Sequence, residues 1–249
     1  MEFQELKTLL DEYVGKINVP SFIEQDPVQF PRRYTLLQDQ EVAGLLTAII
    51  SWGKRSAILR SADRMLAVMG ASPYDYIMEA DFEKKDPHSL HRTFNYEDFL
   101  FLCKGLRELY LHQDSMENLF VNKDLFDGIQ TLRDTIISAN GIDRHHAEKH
   151  LSSPAKNSAC KRLHMFLRWM VRNDGIVDIG CWKQVSPSAL YIPIDVHVSN
   201  ISRMLGMLDR KQNDRKAVEM LTAELRRFNP EDPIKYDFAL FGIGEGKLI

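Results

Sequence analysis

Apolar residues recur every three or four positions along most of the chain, a spacing that places them on one face of an α-helix. This pattern predicts helices over 6–13, 41–52, 56–69, 99–111, 125–137, 159–171, 196–205, 215–228 and 233–241, with a short helix opening at Pro73. The stretch from Glu41 to Trp52 is apolar on nearly every side, which is typical of a buried helix. No pair of alternating segments forms a convincing β-hairpin. The sequence therefore predicts an all-α fold in which extended segments are minor.

The composition, 44% hydrophobic and 27% charged residues, fits a globular protein. No run approaches the roughly 18 apolar residues that a bilayer span needs, and the first residues carry acids, so we expect neither a membrane span nor a signal peptide. Three cysteines, Cys103, Cys160 and Cys181, are too few for a disulfide framework or an ordinary iron–sulfur cluster. We therefore expect a cytoplasmic monomer that does not bind membranes.

The formal net charge of −3 argues against a uniformly basic nucleic-acid binder, but the charge is unevenly distributed. Between Leu151 and Arg227, 13 Lys and Arg residues stand against 7 Asp and Glu residues, so this segment carries +6 and the rest carries −9. A basic segment on an acidic body suits a surface that faces phosphates. Ordinary scatter of charges over helix surfaces explains the balance equally well.

Two residues of this basic segment are candidates for chemistry. The predicted helix 159–171 carries Lys161, Arg168 and Arg172 on the face opposite its apolar residues. A lysine amine is a nucleophile once it is neutral, and desolvation or a neighbouring cation such as Arg162 favours that form. Asp195 directly precedes the predicted helix 196–205, where an N-cap side chain accepts a hydrogen bond from the helix and stays ionised. Each residue also has an ordinary interpretation, as a solvated helix lysine and an N-cap aspartate.

The sequence around these residues resembles the helix-hairpin-helix DNA glycosylase superfamily. The resemblance rests on Pro193-Ile194-Asp195-Val196-His197 leading to Leu205-Gly206, and on Ser158-Ala159-Cys160-Lys161-Arg162-Leu163 upstream. The segment 233–242 is similar to the final helix of the archaeal 8-oxoguanine glycosylase branch, and the gap of 34 positions from Lys161 to Asp195 is also similar to that branch. The whole chain also resembles a conserved bacterial family of unknown function.

The resemblance implies a single bilobal unit over 1–249 with a central cleft that holds Lys161 and Asp195. The central lobe, 37–180, would carry the lysine helix, while 1–36 with 181–249 would form a second lobe carrying the aspartate helix and the final helix. The implied activity is that of a DNA-repair glycosylase with associated lyase activity on an oxidised purine, without a cofactor. Lys161 would form a Schiff base with the sugar, and Asp195 would stabilise the positive charge that develops there.

The resemblance also implies contacts with a base that has been flipped out of the duplex. Asp237 and Phe241, four positions apart, share one helix face, and in the archaeal branch these positions hydrogen-bond the base and stack on it. Trp52 is a second stacking candidate. Local capping or pairing is the alternative for Asp237, and core packing is the alternative for Phe241.

The glycine hairpin that grips a DNA phosphate in the superfamily is absent before Lys161. We therefore take Lys156, Ser158 and Arg162 as the candidate phosphate-binding residues. Ser158 or Asn157 is expected to cap the lysine helix, whose N-terminus would favour an anion. The expected partner is damaged DNA, either duplex or single-stranded.

Two other functions remain open at this point. The same fold would serve as a module that binds nucleic acid or a nucleoside without catalysis. A metal-dependent hydrolase is the other alternative, since His146 and His150 lie one helical turn apart and His197 follows Asp195 by two positions. The sequence offers no third ligand at a diagnostic spacing, so we assign no metal site.

Overall fold

The computed structural model describes residues 1–82, 88–141, 145–244 and 246. Within these residues the chain is mostly helical, and strands occur only in one two-stranded antiparallel sheet. The predicted all-α class is therefore confirmed. In the same residues, no helix combines the length and the apolar character that crossing a bilayer requires.

The chain forms two compact units. The terminal unit comprises Met1–Glu24 with Pro154–Ile249, and the central unit comprises Gln25–Ser153. These bounds differ from the boundaries at 37 and 180 that the resemblance implies. The lysine helix belongs to the terminal unit, together with the aspartate helix and the final helix.

The elements follow the hydrophobic pattern closely. In the described residues the α-helices are α1 (Phe3–Ile17), α2 (Pro20–Ile23), α3 (Leu37–Ile49), α4 (Arg55–Met69), α5 (Pro73–Glu79), α6 (Tyr96–His112), α7 (Leu125–Ser138), α8 (Lys161–Val171), α9 (Val196–Met204), α10 (Arg215–Phe228) and α11 (Tyr236–Gly244). Short 3-10 helices occupy Pro27–Gln29, Pro31–Arg33, Met116–Leu119, His146–His150, Pro154–Lys156, Pro187–Ala189 and Pro233–Lys235. The strands are β1 (Ser89–His91) and β2 (Phe94–Asn95). The helix predicted over 233–241 is thus a 3-10 turn followed by α11.

Helix α3 forms the centre of the central unit, as its nearly continuous apolar sequence predicts. Its residues from Val42 to Ile49 are buried. The same helix buries the carboxylate of Glu41, which accepts hydrogen bonds from the Tyr110 hydroxyl at 2.9 Å and the Ser115 hydroxyl at 2.5 Å. These bonds satisfy a buried polar group whose desolvation would otherwise destabilise the core.

Helix α11 is the most apolar helix of the terminal unit and packs against α1 and α9. Its side chains from Phe238 to Leu240 are at most 1% exposed. A Cβ atom on Gly242 would lie 2.5 Å from Cγ1 of Ile17, so this glycine permits the close approach of α1 and α11. The packing fixes the position of Asp237, which lies on the first turn of α11.

Gly105 of α6 has a similar role in the central unit, and its replacement by alanine is expected to destabilise the protein by about 1–3 kcal/mol. The new Cβ would lie 2.6 Å from the Cα of Ile136 in α7, and a backbone atom in a packed helix cannot move aside cheaply. A Cβ on Gly15 of α1 would meet no atom of the described residues within 4 Å beyond the neighbouring backbone of its own helix, so Gly15→Ala should stabilise the protein by about 0.5–1 kcal/mol. Urea denaturation of both variants measures the contrast, and equal stabilities would contradict it.

Candidate active site

Lys161 is the first residue of α8, and the chain reaches it through a sharp turn. Cys160 is the N-cap and has a φ of 48°, which places it in the left-handed region. The Ser158 hydroxyl accepts a hydrogen bond from the Cys160 amide at 3.3 Å, before the helix begins. The prediction that Ser158 or Asn157 caps α8 is therefore wrong, because a cysteine in a left-handed conformation starts the helix instead.

Asp195 is the N-cap of α9, as predicted. Its Oδ1 accepts a hydrogen bond from the amide of Val198 at 2.9 Å, which orients the carboxylate at the start of the helix. The other oxygen, Oδ2, is the atom that lies nearer to Lys161. The helix cap thus holds one oxygen of Asp195 and directs the second toward the lysine.

Lys161 and Asp195 lie side by side in the terminal unit. Nζ of Lys161 is 3.7 Å from Oδ2 of Asp195, an ion-pair distance that is too long for a hydrogen bond. The two side chains are 33% and 35% exposed, so a ligand can reach both from solvent. The pair places an amine next to a carboxylate, which is what a nucleophile and a stabiliser of positive charge require.

Asp237 is coupled electrostatically to this pair. It is 7% exposed, and its Oδ2 accepts a hydrogen bond from Nη1 of Arg168. The pKa of Asp237 is raised to about 6, and burial is the largest cause. The negative charge of Asp195 also raises this pKa, whereas the Arg168 guanidinium and the Lys161 ammonium lower it. The structure therefore brings Lys161, Asp195 and Asp237 into one electrostatic cluster.

Arg168 and Arg172 belong to a buried charge network rather than to a solvated basic face. Their exposures are 5% and 3%. Both donate to the carboxylate of Asp178, Arg168 through Nε at 3.1 Å and Arg172 through Nη1 at 2.9 Å. Arg172 also donates to Asp174 at 2.7 Å and to Asp232 at 2.9 Å. The prediction that these arginines line the basic face of α8 is therefore wrong, because both are buried and donate hydrogen bonds to aspartates.

Further cations of the basic segment are also neutralised by nearby acids. The pairs between residues three or four positions apart include Arg210 with Asp214, Arg215 with Glu219 and Arg227 with Glu224. The acids of these pairs are already included in the balance of +6. Asp232 and Asp237 lie outside the segment and pair with Arg172 and Arg168, so they lower the positive charge that the segment presents to a phosphate.

The three candidate phosphate-binding residues differ in environment. Lys156 is exposed, while Ser158 is half-buried and pairs through its backbone with Asp214. Arg162 is half-buried, and burial lowers the pKa of its guanidinium to about 10. Lys156 is thus the member of this group that is open to solvent.

The two stacking candidates lie in different units. Phe241 of α11 is half-buried, with its ring 5.7 Å from that of Phe22 in an edge-on arrangement. Trp52 follows α3 in the central unit, where its ring stacks on His150 at 5.4 Å and meets the edge of His91 at 4.7 Å. Trp52 is therefore grouped with the histidines of the central unit, whereas Phe241 lies one turn after Asp237.

A model of the family described as protein of unknown function (DUF2400) matches residues 26–245. The chain belongs to this family. No curated protein and no solved structure matches it. The match includes every candidate site residue of this DUF2400 chain, but the family description states no activity.

Asp237 is expected to make the stability of the DUF2400 chain depend on pH. Its folded-state pKa of about 6 lies above the ordinary value of 3.8, so the folded state holds this proton more tightly than the unfolded state. This contribution is fully present below about pH 4 and is lost as the pH rises through 6. Relative to Asp237→Asn, the wild type should lose about 2 kcal/mol of unfolding free energy between about pH 4 and pH 6. Denaturation at several pH values measures this difference, and parallel curves would contradict it.

Proposed function

We propose that the protein is a DNA N-glycosylase with associated lyase activity, acting on an oxidised purine through Lys161 and Asp195. The observation that carries this proposal is the accessible pair in which the lysine Nζ lies 3.7 Å from the aspartate Oδ2. The substrate class comes from the resemblance of the sequences around both residues to glycosylase motifs. Damaged DNA, duplex or single-stranded, is the proposed partner.

In the first step, the neutral amine of Lys161 attacks C1′ of the damaged nucleotide while the bond from C1′ to the base breaks. The base leaves with the electron pair of that bond and takes up a proton. Positive charge develops on the sugar as the bond breaks, and the Asp195 carboxylate stabilises it. The cap at the start of α9 keeps this carboxylate oriented throughout.

In the second step, the sugar ring opens and a Schiff base forms between Nζ of Lys161 and C1′. Loss of a proton from C2′ then expels the 3′ phosphate by elimination, which cleaves the strand. Water hydrolyses the imine and releases the lysine. No oxidant, reductant or metal is needed for this sequence of steps.

Asp237 acts in this proposal as a positioning residue. The resemblance implies that it contacts the base, but its burial and its hydrogen bond to Arg168 favour an indirect role. Its charge acts on Asp195 and Lys161 through their electrostatic interactions with it. Phe241, half-buried on the same helix, is the proposed stacking residue.

The proposed activity is tested by trapping the imine intermediate with borohydride. Wild-type protein is incubated with borohydride and with duplex or single-stranded oligonucleotides that contain an oxidised purine, beside undamaged oligonucleotides of the same sequence. We expect a covalent adduct only with the damaged strand, because borohydride reduces the imine to a stable amine. Folded protein that gives no adduct with any oxidised purine or with an abasic site would contradict the proposal. Salt-dependent binding without product would indicate a binding module instead.

A further inference from the structure

Three side chains of the central unit meet in the arrangement of a metal site. Asp98, His146 and His150 each offer one ligand atom, and these atoms all lie within 4.8 Å of one another. Nδ1 of His146 is 2.8 Å from Oδ1 of Asp98, and Nε2 of His150 is 3.4 Å from Oδ2 of Asp98. Ligand atoms around a tetrahedral zinc ion with bonds of about 2.0–2.1 Å lie about 3.3 Å apart. Small shifts would therefore admit an ion.

Two helices supply the three ligands. Asp98 is the third residue of α6, and its Oδ2 also accepts a hydrogen bond from the Asn95 amide at 3.0 Å. His146 and His150 are the first and last residues of one 3-10 helix. The carboxylate is thus oriented by the start of one helix, while the histidines are spaced by another.

Aromatic rings fix the orientation of His150. Trp52 stacks on its ring with an interplanar angle of 22°, and the ring of Phe94 meets it edge-on at 5.1 Å. Groups that orient a ligating ring are a regular part of metal sites, because they hold the ligand atom ready for the ion. This packing also explains the position of Trp52, which the proposed glycosylase chemistry does not use.

Two of the three ligands are buried, and the third is exposed to solvent. The side chains of Asp98 and His150 are 0% and 4% exposed, whereas that of His146 is 51% exposed. Two imidazoles and one carboxylate form a donor set that suits zinc and other divalent transition metals. We propose that Asp98, His146 and His150 bind one zinc ion, with its remaining coordination position open to solvent beside His146.

Lys149 gives this site a competing state without metal. Its ammonium donates to Nε2 of His146, which places the ring proton on Nδ1, where it is donated to Asp98. Metal binding at Nδ1 moves the ring proton to Nε2, so that the ammonium loses its acceptor and has to turn away. Lys149→Met should therefore bind zinc at least as tightly as the wild type.

The test is zinc titration of the full chain after chelator treatment, with isothermal calorimetry or a competing chromophoric chelator as the readout. We expect one zinc per chain, and affinity reduced at least roughly 100-fold in His146→Ala. The exposure of His146 makes this variant compatible with folding, which circular dichroism checks. The matched control is His112→Ala, a 71% exposed histidine of α6 that pairs with Glu108 and should leave zinc affinity unchanged.

Several results would contradict zinc binding by Asp98, His146 and His150. Equal zinc affinity in wild type and His146→Ala, or the absence of stoichiometric zinc from the wild type, would overturn it and leave a hydrogen-bonded Asp–His–His cluster. Weaker binding by Lys149→Met would overturn the ligation through Nδ1. Cobalt(II) provides a second readout, because its visible absorption in the wild type should change on His146→Ala and stay the same in His112→Ala. These measurements do not depend on the proposed glycosylase activity.

Discussion

Lys161→Gln is expected to lower the yield of the borohydride-trapped adduct on damaged DNA by at least roughly 100-fold. Glutamine retains a polar side chain at the first position of α8, but an amide nitrogen does not attack C1′ or form a Schiff base. The lysine side chain is 33% exposed and makes no hydrogen bond to Asp195 at 3.7 Å, so its replacement should leave the fold intact. Gel separation of the reduced adduct measures the effect directly.

The matched control for this variant is Lys156→Gln. Lys156 is an exposed lysine just before α8 and is a candidate for phosphate binding rather than for chemistry. Its loss should weaken binding and reduce the salt dependence, while adduct formation at saturating DNA stays within about twofold. An adduct that persists in Lys161→Gln would remove Lys161 from the proposed role. Equal loss in both variants would point to DNA binding as the defect.

Asp195→Asn distinguishes the contribution of Asp195 from that of Lys161. Asparagine is as good an N-cap as aspartate, so α9 keeps its start, but the negative charge next to Lys161 is lost. We expect base removal to slow, while trapping on a preformed abasic site, which needs only the amine, is largely retained. Equal loss on both substrates would indicate that Asp195 acts by placing Lys161.

Helices that expose one face to solvent could be predicted from the sequence. The helix predicted over 215–228 is α10 with the same bounds, because Asp214 caps it and the apolar residues Ala217, Val218, Leu221 and Leu225 recur at helical spacing. The N-cap role of Asp195 was predictable for the same reason, since a capping aspartate acts on residues directly after it. Local chemistry decides both features.

The features that the sequence did not reveal depend on residues far apart in the chain. Arg168 has the spacing of a solvated residue on α8, and only folding brings it against Asp178 and Asp237. The start of α8 was misplaced because a left-handed Cys160 has no sequence signal comparable to that of glycine.

The proposed zinc site shows the same limit. The spacing of His146 and His150 identified two ligands, but the third, Asp98, lies 48 positions before His146. Asp98 has an ordinary local explanation, since it forms a capping box with Asn95 at the start of α6. This local role accounts for an aspartate at position 98, so the sequence does not indicate that Asp98 also lies beside the histidines. The cluster is therefore seen only in the structure.

Arg168→Met is expected to lower the free energy of unfolding by about 3–5 kcal/mol at neutral pH. The substitution leaves Asp237 without its guanidinium partner and removes one of the arginines that donate to Asp178, although both carboxylates are buried. Burial already raises the pKa of both aspartates, and removing the arginine raises both values further. The Arg168 guanidinium lies over the ring of Phe238, with Cζ 4.4 Å from the ring centroid. Methionine has a side chain of comparable length, so it fills much of this space but supplies neither hydrogen bonds nor charge.

The control for this effect is Arg227→Met, which removes an arginine that pairs with Glu224 but is 61% exposed. Exposed pairs contribute less than about 1 kcal/mol, so this variant should unfold close to the wild type in urea. The pH dependence supplies the sharper test. Protonation of Asp237 and Asp178 removes the buried negative charges that Arg168 compensates, so the loss of stability in Arg168→Met should shrink as the pH falls toward about 5. The prediction would be contradicted if Arg168→Met lost little unfolding free energy at neutral pH, or if the loss did not change with pH. Arg168 would then not stabilise the protein by compensating buried negative charge.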